Sequence, residues 1–88
     1  MRLILRGRVQ GVGFRHFTIL AANALGLRGT VRNAPDGTVE VRVAGAAADL
    51  ESFRDRLRQG PAPARVDAID ATDLAESEAL PAGFEVRY

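Results

Sequence analysis

An arginine follows a glycine-rich stretch near the start of the chain, in the sequence RGRVQGVGFRHF of residues 6–17. Gly7, Gly11 and Gly13 lose much backbone freedom on ordering, so their grouping ahead of Arg15 needs a reason. Because a strand is predicted to end and a helix to begin here, successive backbone N–H groups can point into one concavity at the positive end of the helix. Arg15 has the wrong sign for the helix dipole but the right sign for a bound anion. The pattern predicts an oxyanion site, which a phosphoryl group fits best.

The inventory of reactive side chains narrows the chemistry. The chain has no cysteine and one histidine, His16, and all twelve basic residues are arginine. The absence of lysine excludes Schiff-base chemistry and a phosphate loop of the Walker type. Without cysteine, and with a single histidine, thiol nucleophiles and clustered imidazole metal sites are also excluded. We therefore expect no covalent intermediate and a reaction that depends on binding and orientation.

Composition predicts one ordinary globular domain over residues 1–88. Apolar residues make up 47% of the chain, charged residues 26%, and the net charge is +1. A net charge near zero gives no electrostatic footprint for nucleic acid. No apolar run approaches the ~20 residues that cross a bilayer. The sequence at the start of the chain, MRLILRGRV, is too short for a secretory signal. We expect a cytoplasmic protein that binds neither nucleic acid nor membrane.

Apolar periodicity predicts two helices and five strands. The predicted spans are strands over 2–9, 66–73 and 84–88, a hairpin over 27–44 with its turn at 35–37, helices over 14–25 and 47–59, and a loop over 78–83. The first helix is predicted to bury a face made of Phe17, Leu20, Ala21, Ala24 and Leu25. In the hairpin, Val39, Val41 and Val43 are predicted to face inward, while Arg32, Glu40 and Arg42 alternate with the buried residues and face solvent.

The element order is β-α-β-β-α-β with one extra terminal strand. It predicts an α+β, ferredoxin-like sandwich, in which an antiparallel sheet carries both helices on one face and a short C-terminal strand at one edge. This fold hosts nucleic-acid binders, ligand-binding modules and enzymes, so the function must come from a site. A nucleic-acid binder would need aromatic residues on the exposed sheet face, whereas the strand residues here are aliphatic.

At three places the residues alone leave two interpretations open. The loop glycines could serve only to turn the chain between a strand and a helix. His16 could act as a general base, or it could be a solvent-facing residue that tunes the local charge, which helical geometry favours. Asn33 could orient a water through its amide, or it could belong to the turn that follows it.

Two motifs give the chain a specific resemblance. The sequence GRVQGVGFR of residues 7–15 resembles the phosphate-loop signature of the acylphosphatase family. The sequences GTVRN of residues 29–33 and DGTVE of residues 36–40, together with Gly45, are similar to that family's second signature. Length, element order and the sequence GFEVRY of residues 83–88 also resemble the family, so the likeness covers essentially the whole chain.

The resemblance implies an enzyme that hydrolyses the carboxyl–phosphate anhydride bond of acyl phosphates without a metal or other cofactor. It implies that Arg15 and the loop amides bind the phosphoryl oxygens, that Asn33 holds the attacking water, and that Thr38 supports Asn33. The loop so implied consists of Gln10, Gly11, Val12, Gly13, Phe14 and Arg15.

Two positions depart from the family pattern. Thr30 stands where many members carry an aromatic residue that could line the acyl pocket, and Ala34 stands where some members carry a hydroxyl. The resemblance also implies a small-molecule acyl phosphate as substrate, inorganic phosphate as product and competitive inhibitor, and a monomer. Similar domains occur within larger carbamoyl-phosphate-converting maturation proteins, but the end of this chain at its last predicted strand favours a free-standing enzyme.

Overall fold

The computed structural model describes residues 1–75 and 79–88, which form a five-stranded sheet and two helices. In chain order the elements are β1 (Arg2–Arg8), α1 (Phe14–Ala24), β2 (Arg28–Asn33), β3 (Val39–Ala44), α2 (Ala47–Gln59), β4 (Arg65–Thr72) and β5 (Phe84–Val86). Of the loop predicted over 78–83, residue 78 lies outside the described residues. In the part of the chain that the structure describes, no helix is long and apolar enough to cross a bilayer.

The strands lie in the order β4-β1-β3-β2-β5. The pairs β1–β3, β1–β4 and β2–β3 are antiparallel, whereas β5 pairs with β2 in parallel. The chain leaves β4 at one edge of the sheet, returns to the opposite edge and runs in the same direction as β2. The predicted ferredoxin-like sandwich is confirmed, and its short last strand makes the sheet mixed rather than wholly antiparallel.

Strand alternation turns one face of the sheet toward both helices. The buried cluster on that side includes Leu3, Leu5, Val31, Val39, Val41 and Val43 from the strands and Phe14, Phe53 and Leu57 from the helices. Burying one such side chain fully contributes about 1.5–3 kcal/mol. Phe53 also meets Phe84 of β5 edge-to-face, with ring centroids 6.1 Å apart, so the last strand is held by the same core.

The buried face of α1 differs from the predicted one. Leu20 is 56% exposed and Ala24 is exposed, whereas Thr18 and Ala22 are fully buried. The Thr18 hydroxyl donates to the carbonyl oxygen of Phe14 one turn earlier, at 2.8 Å, which makes a polar side chain inexpensive to bury. The helix is therefore rotated toward its threonine, and the prediction for Leu20 and Ala24 was wrong.

The open face of the sheet contains a buried carboxylate where solvent exposure was predicted. Glu40 is 4% exposed and accepts hydrogen bonds from Arg2 at 2.9 Å and Arg32 at 3.0 Å, while Nε of Arg42 lies 3.5 Å away. Burial raises the pKa of the Glu40 carboxyl, but the bonds from Arg32 and Arg2 and the charges of Arg42 and Arg2 together outweigh it and hold the pKa below its ordinary value. Glu40 and its arginines therefore form a structural cluster on the face opposite the helices.

Candidate active site

The loop between β1 and α1 depends on the conformational freedom of two glycines. Gly11 and Gly13 have φ angles of +73° and +78°, in the left-handed region that residues with a Cβ rarely adopt. An added Cβ at either position would meet no atom within 4 Å, so conformation rather than crowding requires glycine. Val9 and Phe14, both buried, attach the two ends of the loop to the core.

The N-terminus of α1 has no side-chain cap. Gly13 is the N-cap residue, and the first turn holds no acid, whereas α2 carries Asp49 in the same place. The first N–H groups of a helix have no partner within the helix and carry partial positive charge. This end of α1 is therefore suited to bind an anion.

Arg15 lies in the first turn of α1 and is half-buried. Within residues 1–75 and 79–88 it forms no ion pair, in contrast to Arg2, Arg32 and Arg6, which bind acids. Its guanidinium carbon lies 5.6 Å from the ring centroid of Tyr88, a cation–π contact. Its hydrogen-bonding capacity is therefore available to a ligand.

Asn33 is the last residue of β2 and shares the helix-facing side of the strand with Val31. This side brings the asparagine to the glycine loop, whereas Arg32 points to the open face and binds Glu40. Among the described residues, the Asn33 Oδ1 atom is buried without a hydrogen-bond partner. A buried acceptor without a partner is unfavourable by about 1–3 kcal/mol, so Asn33 is ready to accept a hydrogen from a bound molecule.

Gln10 connects the loop to the β2–β3 turn through its side chain. Its Nε2 atom donates to the carbonyl oxygens of Ala34 at 2.8 Å and Thr38 at 2.9 Å. The Thr38 hydroxyl and N–H donate to Oδ1 of Asp36, and these bonds hold the pKa of Asp36 below its ordinary value. Because the Thr38 hydroxyl is directed at Asp36, any support that Thr38 gives to Asn33 passes through the backbone of the turn.

These elements enclose a cleft of about 300 Å³. Of the residues predicted for the site, Gly11, Gly13, Phe14, Arg15 and Asn33 line it together. Val12 packs against the core, Thr38 is buried in the turn, and the Gln10 side chain binds the turn rather than lining the cleft. His16 is exposed at the cleft's edge.

Sequence reasoning missed part of the cleft wall. Ile19, Val86 and Tyr88 line it. Their spacing is a usable signal, because Ile19 follows Arg15 by one helical turn and Val86 and Tyr88 are two residues apart in the strand predicted over 84–88, of which β5 covers Phe84–Val86. Thr30 instead lines a cavity on the open sheet face, and Ala34 borders another beside the turn. Among residues 1–75 and 79–88, no cluster of three or more histidine, cysteine or acidic side chains could hold a metal ion.

The arrangement combines two capabilities. The uncapped amides and Arg15 can neutralise an oxyanion, and the Asn33 amide, with a donor and an acceptor, can orient a water beside it. Such a pair suits the displacement of a good leaving group from phosphorus by water.

Comparisons with a family model, with known sequences and with solved structures each find acylphosphatases. A family model described as Acylphosphatase matches residues 1–86. The chain is 43% identical over 86 residues to an acylphosphatase of Rhizobium etli, covering 98% of this chain and 90% of that protein. The crystal structure of acylphosphatase from Bacillus subtilis is similar with a TM-score of 0.88 and 36% identity, covering 99% of this chain and 96% of that one. A crystal structure of T. kodakarensis HypF is similar with a TM-score of 0.87 and 32% identity, over 99% of this chain but 11% of that one.

Proposed function

The chain belongs to the acylphosphatase family and hydrolyses acyl phosphates, and we propose that Arg15 and the amides of residues 10–15 hold the phosphoryl group while Asn33 orients the attacking water. The bond cleaved joins a carboxyl group to phosphate, and the products are a carboxylate and inorganic phosphate. Arg15 and Asn33 are the catalytic residues of this proposal, because each would touch a reacting group.

The chemistry needs few side chains because the leaving group is stable. The conjugate acid of the departing carboxylate has a pKa of about 4, so the carboxylate leaves without a general acid. The protein has to neutralise the phosphoryl charge and align a water with the breaking bond. The proton of that water can pass to a phosphoryl oxygen of the substrate, so the mechanism assigns no side-chain base and leaves His16 outside the reaction.

One observation carries the proposal. Arg15 is half-buried with no acid beside it among the described residues, next to an uncapped helix N-terminus, and the unpartnered Oδ1 of Asn33 borders the same cleft. A half-buried charge without an ion-pair partner and a buried acceptor without a hydrogen bond are both unfavourable for folding alone. A phosphoryl group and a water would satisfy both.

The proposal extends to the product, the assembly and the compartment. Inorganic phosphate carries the same oxygens as the bound phosphoryl group, so it should compete with the substrate for Arg15 and the loop. The glycine loop, Arg15 and Asn33 meet within one chain, so the proposed mechanism needs no second copy and we propose a monomer. The absence of cysteine fits a reducing compartment such as the cytoplasm.

The test is hydrolysis of benzoyl phosphate by the wild-type chain, by Arg15→Ala and by Arg56→Ala. Arg56 is an exposed arginine of α2 and serves as the matched control. We expect Arg15→Ala to lose hydrolysis and Arg56→Ala to retain it, with inorganic phosphate inhibiting the wild type competitively. Equal activity of the two variants, or non-competitive inhibition, would refute the assignment of Arg15.

A further inference from the structure

The Gln10 side chain spans the gap between the two halves of the site. Its amide nitrogen donates one hydrogen to the carbonyl oxygen of Ala34 and the other to that of Thr38, at 2.8 and 2.9 Å. The same two carbonyls also accept backbone bonds within the turn, from Gly37 and Ala34 at 3.1 and 2.9 Å. Both hydrogens of the carboxamide are therefore used to fasten the loop to the turn that follows Asn33.

The position of these bonds determines what they can control. Because Ala34 follows Asn33 directly, a hydrogen bond to the Ala34 carbonyl oxygen restrains the backbone next to Asn33. Gln10 is the first residue of the anion loop and precedes Gly11, which is free of crowding and held in the left-handed region. Because β1 and β2 are not neighbours in the sheet, the ladder hydrogen bonds do not fix the loop against the end of β2 directly.

We propose that Gln10 is a positioning residue that sets the location of Asn33 relative to the anion loop. The inference rests on the proposed function of Asn33, because the position of Asn33 affects the rate only if its side chain orients the attacking water. Gln10 contributes to the rate through its carboxamide and to anion binding through its backbone amide, which any substitution other than proline keeps. Loss of the carboxamide therefore displaces the water while it leaves the phosphoryl site in place.

The expected effect is selective. A misplacement of about 1 Å in a reacting group can lower a rate by about 100-fold, so loss of the two bonds should lower kcat by about 10-fold to 100-fold. The affinity for inorganic phosphate should stay within about twofold, because no phosphate-binding group is removed. A merely structural role would lower thermal stability and affect both quantities together.

The experiment compares Gln10→Met with Gln59→Met. Methionine keeps the length of the side chain and adds no charge but cannot donate, and Gln59 is an exposed glutamine at the end of α2. We expect a lower kcat on benzoyl phosphate and an unchanged phosphate Kd for Gln10→Met, with both unchanged for Gln59→Met. Gln10→Ala, measured in the same way, provides a second variant if Gln10→Met does not fold.

A double-mutant cycle with Asn33→Ala separates the inference from the function on which it rests. If Gln10 acts through Asn33, Gln10→Met combined with Asn33→Ala is no slower than Asn33→Ala alone. Multiplying losses, an unchanged kcat in Gln10→Met, or a phosphate affinity that falls in step with kcat would each overturn the role of Gln10. Full activity of Asn33→Ala alone would overturn the function proposed for Asn33 itself, whatever Gln10→Met does.

Discussion

Replacing Gly13 with alanine separates an anion-binding loop from a loop that merely turns the chain. The added Cβ would meet no atom within 4 Å, so the substitution changes only the ease of reaching a φ of +78°. An L-residue with a Cβ occupies this region at a cost of about 1–2 kcal/mol. Gly26 is a matched control, because its φ is +67°, its surroundings are equally open, and it lies at the far end of α1 outside the cleft.

The strain can appear in one of two measurements. If the alanine holds the left-handed conformation, the whole cost lowers the free energy of unfolding. If the loop instead relaxes, stability falls less, but phosphate must restore the conformation when it binds, and the cost then lowers affinity. Gly26 directly follows Leu25, the C-cap of a helix packed on the core, so strain at Gly26 should lower the stability, whereas the exposed loop before α1 can relax.

The magnitudes follow from this division. Gly26→Ala should lower the free energy of unfolding by about 1–2 kcal/mol, with each kcal/mol lowering Tm by about 4–8 °C, and leave the phosphate Kd unchanged. Gly13→Ala should lose less stability than Gly26→Ala and bind phosphate about tenfold more weakly, since 1.4 kcal/mol is a factor of ten. Urea unfolding without phosphate and calorimetric titration with phosphate measure the two quantities. Equal losses of stability and affinity in Gly13→Ala, or no loss in either, would mean that the glycines are turn residues only.

Three further predictions concern single side chains. Arg15→Lys should be nearly as inactive on benzoyl phosphate as Arg15→Ala, because a lysine cannot place two N–H groups on two oxygens as a guanidinium does, and substantial activity in the lysine variant would contradict this. Asn33→Ala should keep the phosphate Kd by calorimetry but lose about 100-fold in single-turnover rate, while Asn23→Ala, on the exposed side of α1, keeps both; a parallel loss of binding and rate would reassign Asn33 to the phosphate site. Because burial raises the pKa of Glu40 less than Arg32, Arg2 and Arg42 together lower it, the folded pKa lies below 4.5. The stability from ionised Glu40 is therefore present above that pH and is lost as pH falls through the folded pKa. Glu40→Gln should flatten this fall in urea unfolding, and an unchanged acid dependence would exclude Glu40 as its source.

Local features of the site were accessible from the sequence. The glycines before Arg15 predicted an anion-binding loop at a helix start, and turn residues at 35–37 predicted the hairpin that carries Asn33. Both features depend on residues that are close together in the chain, where the residue types determine the backbone conformation. Alternation along β2 then places Asn33 on the helix-facing side without knowledge of any partner strand.

The features that the sequence did not reveal depend on partners distant in the chain. Glu40 is buried because Arg2 and Arg32 reach it from two other strands, and that register is absent from the local pattern. Thr18 is buried at the expense of Leu20 because its hydroxyl is satisfied within its own helix, which a count of apolar residues cannot weigh. The resemblance implies a role only for the backbone amide of Gln10, and the bonds of its side chain to Ala34 and Thr38 form only because the hairpin lies beside the loop.

The parallel pairing of β5 with β2 has a kinetic consequence. Val86 of β5 and Arg15 line one cleft, yet residues 34–83 lie between β2 and β5 in the chain. Closing a loop of that length lowers the chain entropy before the new contacts can stabilise the fold. Such long-range pairings therefore slow folding. The hairpin and the glycine loop can form from nearby residues, but the cleft is complete only when the last strand has docked. During refolding, the recovery of hydrolysis should therefore coincide with the docking of β5 rather than with the earlier formation of helices. An activity assay during refolding thus measures the rate of this final step.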